Sequence, residues 1–196
     1  VYATLKRLLS EDKAHSAHIK MNRGELKNPP WTGDVNVTGG FLYETTIHLF
    51  DMARFQFGEI EELIAYGSQH EYPEIDEFSI IFKFKNGFHC TFASSSDASW
   101  HFPFERIEVF CHHRTIMTEE MERLFDSRGM DANFETLSFH MTEKEEKWGY
   151  AQEDRAFIDS ILNGTPPPVT ADDGFKSVEL VESVYKAIRT GEKIRF

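Results

Sequence analysis

Residues 78–92 read FSIIFKFKNGFHCTF and carry the strongest strand pattern in the chain. Large apolar side chains occupy every second position on both sides of Asn86-Gly87, which is typical of two strands that each bury one face. Asn-Gly is a preferred pair for a two-residue hairpin turn, in which both turn residues take positive φ. The stretch therefore predicts an antiparallel hairpin at the centre of the fold.

The alternation continues beyond this hairpin. Residues 107–111 follow the same period of two, and residues 114–125 indicate further short strands. Ile81 and Phe110 lie on the face opposite the one that carries Phe82, so both faces of the sheet are expected to be covered. We expect helices on one face and a partner subunit on the other.

Apolar residues near helical spacing frame this sheet in the sequence. The run 41–57 predicts a buried helix, and a second helix, marked by apolar residues within 150–161, ends at Asn163-Gly164. Thr170 and Asp173 form a capping box that opens a third helix. This third helix is expected to be buried through Val178, Val181, Tyr185 and Ile188. The predicted class is α+β, with an open, largely antiparallel β-sheet and helices packed on one face.

Length, charge and cysteine use exclude several classes of protein. The chain has 196 residues, which fits one domain, and its net charge of -12 would repel a nucleic-acid backbone. No apolar run approaches the ~18 residues of a membrane-spanning helix. Cys90 and Cys111 lie in strand-like runs, and no secretion-signal pattern is present. We therefore expect reduced thiols in a cytoplasmic protein without nucleic-acid or membrane partners.

Glu44 and His48 form the candidate pair for proton chemistry. They stand four residues apart on the helix predicted after Gly39-Gly40, so their side chains share one stripe. A carboxylate beside an imidazole fixes the ring tautomer and makes the histidine a usable base near neutral pH. A purely structural pair is the commoner reason for such spacing. The preceding glycines, however, allow another molecule to approach closely, which favours a functional role.

Metal binding is a second interpretation of the same residues. Glu44 and His48 could each donate one ligand, but no second histidine stands in register and neither cysteine has a paired neighbour. We therefore expect no metal site.

Aromatic residues outside the core pattern are the best candidates to line a pocket. Trp31 lies in a long polar loop that contains Pro29-Pro30, and Trp100-His101 follows the second strand of the hairpin. Core packing is the commoner role for each of these residues taken alone. The chain contains no Gly-x-Gly-x-x-Gly and no phosphate-binding loop, so nucleotide binding by this chain alone is not supported.

The order of these features resembles a known family. A proline-containing loop with Trp31 precedes the pattern Gly-Gly-x-x-x-acid-x-x-x-His-x-x-Asp over residues 39–51, and antiparallel strands follow. Residues 153–161, 163–166 and 172–174 are similar to the C-terminal end of the same family. The family is the glucose-fructose oxidoreductase and inositol 2-dehydrogenase group, written Gfo/Idh/MocA, and the resemblance covers nearly the whole chain.

The resemblance implies a division of labour between two domains. Members have an N-terminal dinucleotide-binding Rossmann domain, which is absent from this chain, so residues 1–196 are expected to be a single substrate-binding and oligomerisation domain. The expected fold resembles the C-terminal domains of dihydrodipicolinate reductase and glyceraldehyde-3-phosphate dehydrogenase.

The resemblance also implies an activity. It is the transfer of a hydride between NAD or NADP, held mainly by the missing domain, and a secondary alcohol of a sugar or polyol. His48 would accept or return the hydroxyl proton, and Glu44, which stands where the family usually has Asp, would orient it. The residues that would shape the sugar site are Asn28, Trp31, Trp100 and His101.

Partners follow from the same resemblance. The family's sheets commonly pack face to face between subunits, which implies a homodimer or homotetramer. The other implied partners are the protein's own Rossmann domain and a small-molecule sugar or polyol. Two further classes stay open: a stand-alone ligand-binding or oligomerisation module without catalysis, and a metal-dependent hydrolase or isomerase that uses Glu44, His48 and a distant third ligand.

Overall fold

A sheet of nine strands forms the frame of the protein in the computed structural model, which describes residues 1–24, 29–101, 104–131 and 133–196. The strands are β1 (Ser16–Asn22), β2 (Ile60–Ser68), β3 (Glu77–Phe84), β4 (His89–Ser95), β5 (Glu105–Cys111), β6 (Arg114–Glu119), β7 (Arg123–Arg128), β8 (Glu135–Ser138) and β9 (Ile194–Arg195). Their spatial order is β8-β7-β6-β5-β1-β4-β3-β2-β9. β1 and β4 run parallel, and the other described strand pairs are antiparallel. The predicted largely antiparallel sheet is confirmed.

Six α-helices accompany the sheet in the described part of the chain. They are α1 (Tyr2–Leu9), α2 (Val35–Thr38), α3 (Ile47–Phe57), α4 (Lys144–Lys147), α5 (Tyr150–Asn163) and α6 (Ala171–Thr190). A 3-10 helix covers Pro30–Gly33, and a π-helix covers Leu42–Thr46 directly before α3. The predicted capping box of Thr170 and Asp173 is present at the start of α6. The predicted α+β class is confirmed.

The β3–β4 hairpin is confirmed, but its turn differs from the predicted one. Only Gly87 has positive φ (86°), and its N–H donates to Phe84 O at 2.9 Å. The loop therefore has three residues, a type I turn closed by a left-handed glycine, rather than two residues of positive φ. Asn86 uses its side chain instead, because Nδ2 donates to Phe57 O at 2.8 Å and ties the turn to the end of α3.

The helix-covered face of the sheet holds the core. The ring of Phe50 on α3 lies 5.4 Å from that of Phe82 and 5.0 Å from that of Phe92, and Phe57 stacks on Phe88 at 4.2 Å. Each buried ring contributes roughly 2 to 3 kcal/mol through removal of apolar surface from water. α6 packs against α3 and β2 on the same side. The alternating phenylalanines thus form the face of the sheet that packs against the helices.

The opposite face of the sheet carries no helix in the described part of the chain. Tyr66 on β2 is 74% exposed and Ile81 on β3 is 50% exposed. The apolar character predicted for this surface, which we call the open sheet face, is therefore confirmed. The partner subunit expected there stays a prediction.

One expected core position on α6 is wrong. Val178 is 43% exposed, because the buried stripe of this helix runs through Ser177, Val181 and Val184, and Val178 lies beside it.

No helix in the described residues is both long and apolar enough to span a membrane. Cys90 and Cys111 are buried free thiols.

Candidate active site

The π-helix and α3 begin at one particular edge of the sheet. β1 and β4 run parallel, so both strands end at that edge. Thr46 shares a 2.7 Å hydrogen bond with Ser94, near the end of β4. From there α3 runs along the sheet to Phe57, which stacks on Phe88 just before β4 begins. We call the edge where β1 and β4 end the upper edge.

The π-helix widens the turn that carries Glu44. The N–H of Ile47 donates to Leu42 O, five residues back, instead of four. Thr45 and Thr46 are both buried although they are neighbours in the sequence, whereas Glu44 is half-buried. Short π-helical segments are rare and occur often at functional sites. The wide turn lets two hydroxyls point inward while the carboxylate stays accessible.

Glu44 and His48 do not bond to each other in this structure. The hydroxyl of Thr45 donates to Glu44 Oε2 at 2.8 Å and so orients the carboxylate. His48 is exposed on the first turn of α3, and its ring nitrogens have no hydrogen-bond partner among the described residues. The imidazole is therefore free to bind a ligand. The catalytic roles of both residues stay predictions.

Gly39 and Gly40 leave room for two aromatic rings of the protein itself. A Cβ on Gly39 would lie 2.8 Å from the Tyr43 ring, and one on Gly40 would lie 3.0 Å from the Tyr185 hydroxyl. Both glycines also have positive φ. The sequence suggested that they let another molecule approach, but the structure shows that they let these two tyrosines pack. Burial raises the pKa of Tyr185 to about 12, so it stays neutral near pH 7.

Trp100 stands at the upper edge and packs on Gly24. Gly24 forms an isolated bridge with Asp97 just beyond the ends of β1 and β4. A Cβ on Gly24 would lie 2.4 Å from Trp100 Nε1, so only glycine leaves room for the indole. Trp100 is 54% exposed, and His101 beside it is exposed.

Trp31 makes no described contact with the proton-handling pair. Trp31 lies in the 3-10 helix Pro30–Gly33 and is half-exposed, and the Thr32 hydroxyl donates to Pro29 O at 2.6 Å within the same turn. No hydrogen bond or ring contact of the described residues joins Trp31 to Glu44 or His48. Asn28 lies outside the described residues.

Asp51, the last residue of the quoted motif, has a structural role. Arg54, with its side chain only 6% exposed, bonds to Asp51 at 3.2 Å, Glu59 at 3.0 Å and Asp173 at 3.4 Å. The Ser177 hydroxyl also donates to Asp51 at 3.2 Å. This cluster fastens α3 to α6 and so fixes the helix that carries His48. The guanidinium of Arg54 lowers the pKa of the Glu59 carboxyl.

Three residues of this site escaped the sequence analysis. Thr45 and Gly24 gave no signal, because their contacts depend on a π-helix and on a distant loop. Arg54 had one, since it stands three residues after Asp51 on the same helix. Within the described ranges no cluster of three or more metal-ligating side chains could hold an ion.

Comparison with known proteins identifies the family. A family model described as the GFO/IDH/MocA C-terminal domain matches residues 2–117. Myo-inositol 2-dehydrogenase of Thermotoga maritima is 27% identical over 99% of this chain and 60% of its own length. An uncharacterised oxidoreductase of Bacillus subtilis is 24% identical over 97% of this chain and 58% of its own length. The chain thus spans about 60% of the length of these curated relatives.

Solved structures show the same fold. An aldose-aldose oxidoreductase from Caulobacter crescentus, complexed with glycerol, superposes with a TM-score of 0.83 at 18% identity over 100% of this chain and 60% of that one. Levoglucosan dehydrogenase, in complex with NADH and L-sorbose, gives 0.83 at 15% identity over 99% and 61%. The resemblance found in the sequence is confirmed, because the family model matches more than half of the chain: the chain belongs to the GFO/IDH/MocA family and has the fold of its C-terminal domain.

Proposed function

We propose that this chain is the substrate-binding and catalytic C-terminal domain of an NAD(P)-dependent oxidoreductase. The reaction moves a hydride between a nicotinamide and a secondary alcohol of a sugar or polyol. The observation that carries the proposal is the exposed imidazole of His48, which has no hydrogen-bond partner among the described residues, beside an oriented carboxylate in a chain of this family. The names of relatives support the substrate class, since they include a myo-inositol 2-dehydrogenase.

His48 would handle the proton. During alcohol oxidation a ring nitrogen of neutral His48 accepts the hydroxyl proton, and in the reverse direction the imidazolium returns it. Glu44, held by the Thr45 hydroxyl, would accept a hydrogen bond from a substrate hydroxyl or from the imidazole once substrate is bound. Trp31 and Trp100 would offer apolar faces to the sugar ring. The proposed substrate-binding set is Asn28, Trp31, Trp100 and His101.

The described part of the chain offers no site for the dinucleotide itself. The chain has no Gly-x-Gly-x-x-Gly, and its only parallel strand pair in the described part is β1 with β4. The described residues therefore form no strand-turn-helix unit of the kind that binds a pyrophosphate. We assign NAD or NADP to an N-terminal dinucleotide-binding domain, in the part of the relatives that lies outside the match. The bound nicotinamide would supply the hydride acceptor.

The open sheet face supports a homodimer or homotetramer. A groove of about 570 Å³ crosses it, and its lining includes Lys20, Ile64, Tyr66, Ile81, Arg106 and Glu108. Apolar side chains with charges of both signs suit a two-fold interface, in which each charge can meet its opposite across the axis. Light scattering should give a dimer or tetramer mass that Ile81→Asp lowers. A monomer mass for the unchanged protein would contradict this assembly.

A cytoplasmic location completes the proposal. Cys90 and Cys111 are both buried without a disulfide, and burial raises the pKa of Cys90 to about 12, which keeps this thiol unreactive.

The test uses the full-length product of the gene. We expect reduction of NAD or NADP by a member of a panel of inositols, aldoses and linear polyols. His48→Ala should lower kcat/KM by ~100-fold or more through loss of the base. His140→Ala, at an exposed position outside the site, is the matched control and should leave kcat/KM unchanged. Ligand binding that survives His48→Ala, without any turnover by the unchanged protein, would favour the binding-module alternative.

A further inference from the structure

Helix α5 turns its apolar side chains away from the protein. Five large residues lie within an arc of about 140° on one side of this helix. We call this surface the α5 face, and it consists of Tyr150, Phe157, Ile158, Ile161 and Leu162. All five are exposed, with Ile161 at 64% and Leu162 at 77%. Only Ser160, outside the α5 face, is buried on this helix.

This arrangement is the reverse of a normal surface helix. An amphipathic helix usually buries its apolar stripe against the core and leaves polar residues in water. Here Ala156 and Ser160 face inward, and α5 packs mainly against the short α4. A contiguous exposed apolar patch of this kind marks a contact surface.

The position of α5 indicates what covers it. Lys147, at the end of α4, bonds to Glu122 at 2.5 Å in the turn between β6 and β7. That turn lies at the upper edge of the sheet, because Glu119 at the end of β6 pairs with Arg106 at the start of β5. After α5, the chain passes Val169, which lies in a cavity shared with Phe55 near the C-terminal end of α3. The helix therefore begins near the edge of the sheet that carries His48.

We propose that the α5 face is the docking surface of the dinucleotide-binding domain. This proposal rests on the proposed function, which assigns that domain to the 40% or so of the relatives that the chain does not span. A domain that covers the α5 face would stand beside the upper edge and could bring a nicotinamide to the substrate of His48. A second copy of this chain fits the open sheet face, which lies on the other side of the sheet.

Hydrogen exchange measured by mass spectrometry on the full-length protein and on the 196-residue chain tests the proposal. We expect the α5 peptides to exchange at least tenfold more slowly in the full-length protein, independently of protein concentration. Equal exchange rates in the two proteins would overturn the proposal. So would protection that disappears on dilution, because it would assign the α5 face to a second copy.

Two substitutions sharpen the test. Ile161→Asp should leave thermal unfolding of the 196-residue chain unchanged and should accelerate α5 exchange in the full-length protein. Met130→Asp is the matched control. It also replaces an exposed apolar side chain with a carboxylate, but on the turn after β7, where Met130 is fully exposed. Equal destabilisation of both proteins by Ile161→Asp would show that α5 packs on its own domain, against the proposal.

The exchange measurement does not depend on turnover. Protected α5 peptides in a full-length protein that reduces no nicotinamide would keep the docking surface and overturn the proposed function. Turnover by a full-length protein whose α5 peptides are not protected would support the proposed function and overturn the docking surface. A full-length product with no segment before Val1 would overturn the docking proposal as well.

Discussion

Replacing Gly24 with alanine tests whether Trp100 forms a wall of the substrate site. The new Cβ would lie 2.4 Å from Trp100 Nε1 and 2.5 Å from Cδ1 and Cε2. Nonbonded carbon atoms pack at ~3.5 to 4.0 Å, so the indole has to retreat by about 1 Å or more. Gly24 does not have positive φ, so its backbone accepts alanine without strain. The substitution therefore displaces one chosen side chain.

The cost to the fold should be small. Trp100 is 54% exposed, so it buries only about half of its surface. If that half is on the order of 100 Å², complete loss would cost about 2 to 3 kcal/mol, and a shift of about 1 Å costs roughly 1 kcal/mol. The effect on catalysis should be larger, since a misplaced wall of about 1 Å disturbs substrate orientation. We expect ~10-fold higher KM for the sugar or polyol and little change in kcat.

Fluorescence reports the displacement directly. The chain has three tryptophans, so a background with Trp31→Phe and Trp148→Phe leaves Trp100 as the only one. Gly24→Ala should shift its emission to the red and increase quenching by acrylamide. Gly174→Ala is the matched control, because nothing lies within 4 Å of its added Cβ. Unchanged emission together with unchanged KM would refute the reasoning, and loss of cooperative unfolding would show that Gly24 supports the sheet edge instead.

Three further outcomes follow from buried polar contacts. Thr45→Val removes the hydroxyl that donates to Glu44 and should lower kcat/KM by ~10-fold. Thr45→Ser keeps the hydroxyl and should leave kcat/KM nearly unchanged. Steady-state kinetics of both variants separates the positioning role of Thr45 from its packing. Burial raises the pKa of Glu105 to about 7, so the folded state holds a proton that the unfolded chain releases near its ordinary 4.5. Stability should therefore fall by up to about 3 kcal/mol as pH rises through this window, and urea unfolding of Glu105→Gln should lack this slope. Arg54→Met should cost about 2 kcal/mol, less than for a fully buried ion pair because the three carboxylates are partly solvated. Its thermal unfolding should approach that of the unchanged protein in acid, as the carboxylates protonate and the stability from Arg54 is lost.

Local signals in the sequence were sufficient for much of the fold. The capping box of Thr170 and Asp173 needs only residues three apart, and the alternation of β3 needs only its own eight residues. Both were predictable because the physics acts within one turn or one strand. The spacing of Glu44 and His48 predicted one regular helix, but the structure puts Glu44 in the π-helix and His48 in α3, a change of hydrogen bonding that local spacing does not encode.

Contacts between distant segments could not be predicted in this way. β1 reads SAHIKMN, with a weak pattern, yet it stands at the centre of the sheet because β4 and β5 pair on its two sides. β2 was missed as well, although it bonds to β3 along its length. The turn at Gly87 has the three-residue geometry, and the Asn86 side chain in it bonds to a carbonyl at the end of α3. In each case a partner far along the chain decided the outcome.

A covering domain would also complete the candidate site. Proton and hydride transfers are favoured where water is excluded, because electrostatic interactions strengthen in a low dielectric. His48 is exposed to solvent and Trp100 is 54% exposed, so the described residues do not close the site. The α5 face, on a helix that begins near the same edge, is exposed as well. One additional domain in contact with both surfaces would bury the apolar stripe of α5 and shield His48 from water at the same time. A single missing domain therefore accounts for both exposed surfaces.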